Sequence, residues 1–288
     1  MRHRRSGQEM MELILNTARR DERIRAVGMT GSRTNPNAPK DRFRDYDIVY
    51  VVNEMESLIA DREWIDGFGE RVILQRPDES ALAPSEAKRT RYAYLMQLAD
   101  GNRIDLTLCP AAEAARWNEG DTLAVVLLDK DSLLPELPAP GDSLYWIKEP
   151  SEAEFRDCCN EFRWVSTYIA KGLRRRELLY ALDHLNLYVR PMLIRMLEWR
   201  AGIREGFSVS TGKNGKYLDR YTPAEDWNLL LETYPEAKEE AIWRALLTAG
   251  ELFRRTGQEV AEGMGFRYPW EEDVSVTAYL EQMYEGEG

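Results

Sequence analysis

The spacing of apolar residues along the first half of the chain predicts alternating helices and strands. From Glu9 to Arg20 the apolar residues recur at a helical spacing, and this segment is predicted to be a helix. Short runs rich in β-branched and aromatic residues follow, and two of them flank Asp100-Gly101-Asn102, which is typical of a hairpin with an Asp-Gly turn. The predicted strands are Ile24 to Met29, Tyr46 to Val52 at the centre of the sheet, Arg71 to Gln75, Tyr92 to Ala99, Arg103 to Leu108 and Leu123 to Leu128, and the further helices are Asp61 to Phe68 and Ala111 to Trp117.

A cluster of prolines marks the middle of the chain. Neither a helix nor a strand crosses such a stretch easily, because proline lacks the amide hydrogen and has a fixed φ. The cluster consists of Pro135, Pro138, Pro140 and the adjacent Gly141. Helices are predicted beyond it over Glu152 to Ala170, Arg175 to Trp199 and Pro235 to Gly263. Pro191 should kink or divide the second of these helices.

These patterns predict an α/β (α+β) fold in two parts. A mixed-sheet domain is expected over residues 1–134, a linker over residues 135–148 and a helical domain over residues 149–288. A chain of 288 residues is long enough for each part to bury a core of its own.

The composition narrows the functional classes. Apolar residues make up 43% of the chain, which is too many for a disordered protein. The chain has 50 Asp and Glu against 39 Lys and Arg, a formal net charge of −11, which argues against general nucleic-acid binding and suits a cationic small molecule. No apolar run is long enough to span a membrane, and no apolar segment follows the basic N-terminus as in a signal peptide. We therefore expect a cytoplasmic protein with neither a membrane nor a nucleic-acid partner.

Few side chains suit thiol or histidine chemistry. The three cysteines, Cys109, Cys158 and Cys159, fit no disulfide framework and no zinc-binding spacing, so we predict that they are reduced and mostly buried. His3 and His184 are the only histidines, which leaves little room for a histidine-rich metal site. If the protein is an enzyme, carboxylates are expected to carry its chemistry.

The segment from Gly31 to Asp47 combines a glycine turn with two carboxylates. Gly31-Ser32 ends one predicted strand, and Asp45 and Asp47 open the next, where side chains two residues apart project to the same face. Two such carboxylates repel each other and resist burial unless a cation neutralises them, and Mg²⁺ and Mn²⁺ prefer oxygen ligands. Asp105, on a later apolar strand, is the candidate for a third ligand.

This arrangement resembles a known signature. Gly31-Ser32, twelve intervening residues and Asp45-Tyr46-Asp47 are similar to the hallmark of the polymerase β-like nucleotidyltransferase superfamily. The longer stretches Gly31 to Pro36 and Asp41 to Val51 resemble the aminoglycoside 6-adenylyltransferases, the streptomycin-modifying branch. Three C-terminal segments share this resemblance, which spans about Met10 to Tyr284; they are Ala181 to Asn186, Val189 to Leu193 and Ser210 to Leu218.

The resemblance implies transfer of AMP from ATP to a hydroxyl of a cationic aminoglycoside, namely the 6-hydroxyl of streptomycin, and hence antibiotic resistance. It implies a nucleotidyltransferase domain followed by a helical domain that binds substrate and nucleotide. Asp45, Asp47 and Asp105 would be the catalytic residues and would hold two Mg²⁺ ions on the triphosphate. The residues implied in nucleotide binding are Gly31, Ser32 and Arg33 in the first domain and Lys213 and Lys216 in the second.

Asp183 and Asn186 are the candidates for binding the acceptor. On a regular helix, Asp183, Asn186 and Arg190 share one face, and a carboxylate with a carboxamide there suits a guanidinium or ammonium group. The alternative is an intrahelical pair between Arg190 and Asp183. The general base stays open between Asp105 and Asp183, since either carboxylate can accept the hydroxyl proton.

Two other functions are compatible with the sequence. The same chemistry can serve another acceptor, such as a lincosamide, a metabolite or a protein hydroxyl. A non-catalytic nucleotide-binding regulatory module can keep the same fold, although such a module is expected to lose Asp45, Asp47 or Gly31-Ser32, and all of these are present.

Overall fold

In a computed structural model, which describes residues 3–82 and 90–286, the chain forms two compact units. The first unit ends at Leu144 and the second begins at Tyr145. This point lies inside the proline-rich segment 135–148. Each unit has a hydrophobic core of its own.

The first unit is built on a mixed sheet. Within the described residues its strands are β1 (Ile24–Thr30), β2 (Tyr46–Val52), β3 (Arg71–Gln75), β4 (Tyr92–Leu98), β5 (Arg103–Pro110) and β6 (Ala124–Asp129), in the spatial order β3-β4-β5-β2-β1-β6. Neighbouring strands are antiparallel except β2 and β5, which are parallel. All six predicted strands and the hairpin between β4 and β5 are therefore confirmed. Strand β2 lies inside the sheet, and all its residues except Asp47 are buried.

Both faces of this sheet are covered. Helix α1 (Gly7–Arg20) packs on one face through its buried residues Met10, Ile14 and Ala18. The Tyr50 hydroxyl on β2 donates a hydrogen bond to the Ile14 carbonyl at 2.7 Å, which supplies the partner that a buried hydroxyl needs. The alternate β2 residues Val49 and Val51 belong to a second apolar cluster around the fully buried Trp117. Because side chains alternate along a strand, this second cluster covers the opposite face.

One predicted helix of the first unit is wrong in its position. The sequence favoured a helix from Asp61 to Phe68, but α2 spans Met55–Ala60 and a 3-10 turn spans Trp64–Phe68. Asp61 has an extended backbone and ends α2. The apolar positions fit both descriptions, so their periodicity alone did not separate two short turns from one helix. The other short helix predicted in this half is present as a 3-10 helix, Ala111–Arg116.

The second unit contains helices and, among its described residues, no strand. Its helices are α3 (Glu152–Arg174), α4 (Leu178–His184), α5 (Arg190–Arg204), α6 (Ala224–Glu232), α7 (Glu239–Met264) and α8 (Trp270–Glu285). The three predicted helical stretches are confirmed. Helices α6 and α8 were not predicted, although α8 carries apolar residues at helical spacing that pack on the core, namely Val276, Tyr279, Leu280 and Met283.

Pro191 divides the second predicted helix, as expected. A π-helical turn over Leu185–Val189 separates α4 from α5, and in it the Arg190 amide donates to the Leu185 carbonyl, five residues earlier. Pro191 stands in the first turn of α5, directly after the π-helical turn, where its ring and its missing amide hydrogen interrupt the regular pattern of helical hydrogen bonds. The wider turn also changes which side chains before and after it share a face.

All three cysteines are free and buried, which confirms the prediction for them. Burial raises the pKa of the Cys158 and Cys159 thiols to about 12, so both stay protonated at neutral pH. In the part of the chain that the structure describes, no helix is long and apolar enough to cross a membrane.

Gly28→Ala should destabilise the first unit. A Cβ at this position on β1 would lie 2.0 Å from the Trp117 ring, whereas a Cβ at Gly67 would meet no atom within 4 Å. We expect the free energy of unfolding to fall by about 3 kcal/mol in G28A and by less than about 1 kcal/mol in G67A. Urea denaturation followed by circular dichroism measures both, and equal midpoints for the two variants would contradict this packing.

Candidate active site

Strand β1 ends in a tight turn at Gly31. The 3-10 turn Gly31–Arg33 follows Thr30, the last strand residue. The Gly31 carbonyl accepts hydrogen bonds from the amide and the hydroxyl of Thr34 at 3.1 and 2.8 Å. Gly31 has a φ of +74°, and a Cβ there would lie 2.3 Å from Asp47 Oδ2. The backbone conformation and the close approach to Asp47 therefore both require glycine.

The three aspartates singled out in the sequence lie together at one end of β2 and β5. In the parallel register of these strands Asp47 stands beside Asp105, and Asp45 directly precedes β2. On the other side of β2, Asp47 pairs with Thr30, next to the Gly31 turn. The first unit thus brings the predicted carboxylates and the predicted glycine turn to one place.

Burial and neighbouring charges raise the proton affinity of Asp45 and Asp47. Burial, followed by the charges of Asp105 and Asp45, raises the pKa of Asp47 to about 6. Burial also raises the pKa of Asp45, with Asp105 adding to the effect and Arg103 opposing it. Among the described residues no hydrogen bond reaches the Asp47 carboxylate. A group of this kind favours a cation close to its oxygens.

Arg103 lies among these aspartates and was not singled out in the sequence. Its Nε and Nη2 donate to Asp105 Oδ1 and Oδ2, both at 2.8 Å, and its Nε lies 3.6 Å from Asp45 Oδ2. The hydrogen bonds to Asp105, followed by the charges of the three aspartates, raise the pKa of Arg103. The signal was present in the sequence, because residues 103 and 105 are two apart on a strand and share a face.

The chemistry of the donor set fits a hard divalent cation. Carboxylate oxygens are the ligands that Mg²⁺ prefers, Asp47 lacks a hydrogen-bond donor, and the bare Cα of Gly31 leaves room beside Asp47 Oδ2. Among residues 3–82 and 90–286, however, no three His, Cys, Asp or Glu side chains lie close enough to hold one metal ion together. Asp105, whose two oxygens accept from Arg103, would have to reorient to share an ion with Asp47.

Ser32 and Arg33 were predicted to bind phosphate. The Arg33 guanidinium donates to the carbonyls of Asp45 and Arg44 at 2.9 and 2.8 Å and stacks 3.6 Å above the centre of the Tyr46 ring. Arg33 therefore anchors the Gly31 turn to the chain that leads into β2. The Ser32 side chain is partly exposed, and among the described residues no hydrogen bond involves its hydroxyl.

Lys213 and Lys216 lie in the second unit, in a short segment of unusual backbone. Gly212, Asn214 and Gly215 all have positive φ, of 71°, 57° and 69°. Both lysine side chains are exposed, and the Lys216 ammonium lies 4.9 Å from the centre of the Tyr217 ring. Within the described residues neither lysine forms an ion pair, so both charges are available to an anion.

Asp183 and Asn186 are exposed on either side of the start of the π-helical turn. The buried Arg190 donates to the Asn186 side-chain oxygen and to the backbone and hydroxyl oxygens of Thr233, and its guanidinium lies 3.8 Å from the centre of the Tyr234 ring. The intrahelical pair between Arg190 and Asp183 is therefore wrong. Since Arg190 occupies the Asn186 oxygen, Asn186 presents its amide nitrogen, a donor, to the solvent.

The first unit brings a glycine-serine turn and three aspartates to one end of a mixed sheet, and these are the residues whose sequence pattern resembles the nucleotidyltransferase signature. The family model described as "Streptomycin adenylyltransferase" matches residues 4–283. An aminoglycoside 6-adenylyltransferase of Bacillus subtilis strain 168 is 45% identical, over 97% of this chain and 98% of its own length. Another, from Campylobacter jejuni, is 42% identical over 94% of each chain.

A solved structure of an aminoglycoside 6-adenyltransferase from Bacillus subtilis is also similar. It is 41% identical, the match covers 97% of this chain and 99% of that chain, and the TM-score is 0.48. The extent of the family match and the identity to the full-length relatives show that this chain belongs to the streptomycin adenylyltransferase family. It is therefore an adenylyltransferase, as its sequence predicted.

Asp47→Asn should change how stability depends on pH. Because its pKa is raised from 3.8 to about 6, Asp47 binds a proton more tightly in the folded chain than in the unfolded chain. Its ionisation therefore costs folding free energy, and this cost is absent below about pH 4 and complete above about pH 6. In buffer with a chelator, the free energy of unfolding of D47N should exceed that of the wild type by about 3 kcal/mol at pH 7.5 and approach it at pH 4.

Asp100→Asn is a control for which the change in stability at pH 7.5 should have the opposite sign. Although burial opposes the effect, hydrogen bonds from Arg5 and Asn102 lower the pKa of Asp100 to about 2. Stability from Asp100 is therefore present above about pH 4 and lost towards pH 2, and D100N should be less stable than the wild type at pH 7.5. Thermal unfolding monitored at both pH values distinguishes the two, and a D47N variant less stable than the wild type at pH 7.5 would contradict our account of Asp47.

Proposed function

We propose that this protein transfers AMP from ATP to a hydroxyl of an aminoglycoside, the 6-hydroxyl of streptomycin, in a Mg²⁺-dependent reaction. The observation that carries the proposal is the convergence of Asp45, Asp47 and Asp105 beside the Gly31 turn. The names of the relatives support an aminoglycoside acceptor and position 6, and the description of the family supports streptomycin. Such a transfer would confer resistance to the antibiotic.

Asp45, Asp47 and Asp105 are the residues that would hold two Mg²⁺ ions. The pairing of β2 with β5 keeps Asp47 and Asp105 adjacent whatever occupies the site, since their backbones belong to the same sheet. When bound, the ions would neutralise the triphosphate and stabilise charge on the entering and leaving oxygens.

The Gly31 turn is the part of the first unit that we assign to the phosphates. The Gly31 amide donates to the Leu123 carbonyl at 3.0 Å, so Gly31 contributes close approach rather than a free donor. The Ser32 hydroxyl is available to a phosphate oxygen, and Arg33 places a fixed positive charge in the same turn. In the second unit, the exposed ammonium groups of Lys213 and Lys216 are the groups that we assign to nucleotide binding.

The proposed reaction is an in-line substitution at the α-phosphorus of ATP. The acceptor hydroxyl oxygen bonds to this phosphorus while the bond from it to the bridging oxygen breaks, and pyrophosphate leaves. The hydroxyl proton passes to a carboxylate, for which Asp105 and Asp183 are the candidates. They differ in their partners, because Arg103 binds both oxygens of Asp105, whereas no hydrogen bond or ion pair among the described residues involves Asp183.

Asp183 and Asn186 are assigned to the acceptor. Streptomycin carries guanidinium groups, and an exposed carboxylate without a partner such as Asp183 can pair with one of them. Asn186, with its oxygen held by Arg190, can donate from its amide nitrogen to a hydroxyl oxygen of the sugar.

Incubation of the protein with ATP, Mg²⁺ and streptomycin should give an AMP–streptomycin adduct and pyrophosphate. Mass spectrometry detects the adduct, and NMR of the product locates the modified hydroxyl. Asp47→Asn should lower turnover by more than about a hundredfold, because the ligand set loses a charge. Asp131→Asn, at a surface ion pair with Arg25, should retain activity. AMP transferred only to a different acceptor would contradict the substrate, and unchanged turnover in D47N would contradict the metal site.

Asp183→Asn should separate acceptor binding from proton transfer. If Asp183 pairs with a guanidinium, the KM for streptomycin should rise by about tenfold, while the KM for ATP stays within about twofold. Asp157→Asn, on an exposed position of α3, is the matched control and should leave both constants unchanged. A collapse of kcat with an unchanged KM for streptomycin would instead identify Asp183 as the general base.

A further inference from the structure

Among the described residues, the Arg103 guanidinium forms hydrogen bonds and ion pairs with candidate metal ligands only. It is the first residue of β5, its side chain is 42% exposed, and among the described residues its guanidinium binds only Asp105 and Asp45. Arg33 in the same site is different, because two backbone carbonyls and the Tyr46 ring hold it. Arg103 is therefore kept in place by the carboxylates alone.

Arg103 and a metal ion shared with Asp47 would both need the carboxylate oxygens of Asp105. Nε and Nη2 of Arg103 take one oxygen of Asp105 each, which is the two-bond geometry that an arginine forms with a carboxylate. A divalent cation shared with Asp47 would need an oxygen of the same carboxylate turned towards Asp47. In the described residues, with the fork formed, no three acidic side chains come close enough to hold an ion together.

We propose that Arg103 competes with the divalent cation for Asp105, so that its guanidinium leaves Asp105 when Asp45, Asp47 and Asp105 bind metal. The proposal rests on the metal site of the proposed function. The charges support the exchange, because a dication compensates three neighbouring carboxylates better than one guanidinium does. The exposure of Arg103 supports the exchange as well. Its side chain is 42% exposed, so water can hydrate the guanidinium when it leaves Asp105.

Mn²⁺ binding to the full-length protein without nucleotide tests the competition. Electron paramagnetic resonance of free Mn²⁺ gives the dissociation constant for the wild type, R103Q and R103K. We expect R103Q to bind Mn²⁺ about fivefold more tightly, the change expected from losing one competing, partly exposed ion pair. R103K keeps the charge but cannot form the fork, so it should also bind more tightly than the wild type, by a smaller factor.

Arg25→Gln is the matched control for net charge. Arg25 forms the same two-bond fork with Asp131, at 2.6 Å for both contacts, and it lies on β1 at the end opposite the Gly31 turn. R25Q removes one positive charge from the same unit and should leave the Mn²⁺ dissociation constant unchanged. Circular dichroism of each variant before the titration checks that the unit is folded.

Several outcomes would overturn the competition. Weaker Mn²⁺ binding in R103Q would mean that Arg103 orients Asp105 for the metal instead of competing for it. Tighter binding in R103Q with wild-type binding in R103K would mean that only local charge matters. Unchanged binding in both variants would mean that Arg103 and the metal do not meet. If D47N binds Mn²⁺ as tightly as the wild type, the failure lies in the metal site of the proposed function and not in Arg103.

A second measurement follows Arg103 directly. The Nε–H of an arginine that is hydrogen-bonded to a carboxylate gives an NMR signal protected from exchange with water, and its absence in R103K assigns the signal. Addition of Mg²⁺, which is diamagnetic, should shift this signal and remove its protection in the wild type. A signal that keeps its position and protection at saturating Mg²⁺ would show that Arg103 stays on Asp105 and would overturn the proposal.

Discussion

The parallel pairing of β2 with β5 is the constraint on which the site depends. It places Asp47 beside Asp105 at the ends of two strands from the interior of the sheet, with Asp45 two residues upstream. Burial of Asp47, followed by repulsion from Asp105 and Asp45, raises the pKa of its carboxyl group. The backbone cannot relieve the repulsion, because moving either aspartate would break the central ladder of the sheet. Arg103 is the cation that the described residues place beside Asp105 and Asp45.

Three arginines show how differently one residue type is used in this chain. Arg33 is tied to two carbonyls and a tyrosine ring, so it fixes the shape of the Gly31 turn. Arg190 is buried in the second unit and fixes the carboxamide of Asn186. Among the residues that the structure describes, carboxylates alone hold Arg103, which is partly exposed, so it is the arginine that we expect to exchange its partner. Burial and the number of neutral partners, more than charge, separate a fixed arginine from one that can move.

The fold was largely predictable where the local pattern is unambiguous. Alternating apolar residues, an Asp-Gly turn and a central run of β-formers predicted all six strands, and Pro191 predicted the break in the long helix. The helix expected over Asp61 to Phe68 failed, because a short apolar pattern fits two tight turns as well as one helix. Helices α6 and α8 were missed, although Leu230 of α6 and Leu280 of α8 lie in the core and the apolar residues around Leu280 have a helical spacing.

The sequence by itself determined which residues are candidates for the chemistry. A glycine-serine turn and aspartates at strand spacing are local features, because each involves residues that are close together in the sequence. The tertiary structure alone decided what those residues touch. It set Asp47 opposite Asp105, which lies far along the chain, through a strand register that no local pattern specifies. It also decided that Arg190 donates hydrogen bonds to Asn186 and Thr233 and not to Asp183. The π-helical turn changes which side chains share a helical face, and Thr233 comes from another segment. Contacts between distant segments depend on how whole elements pack, and that information is spread over the chain.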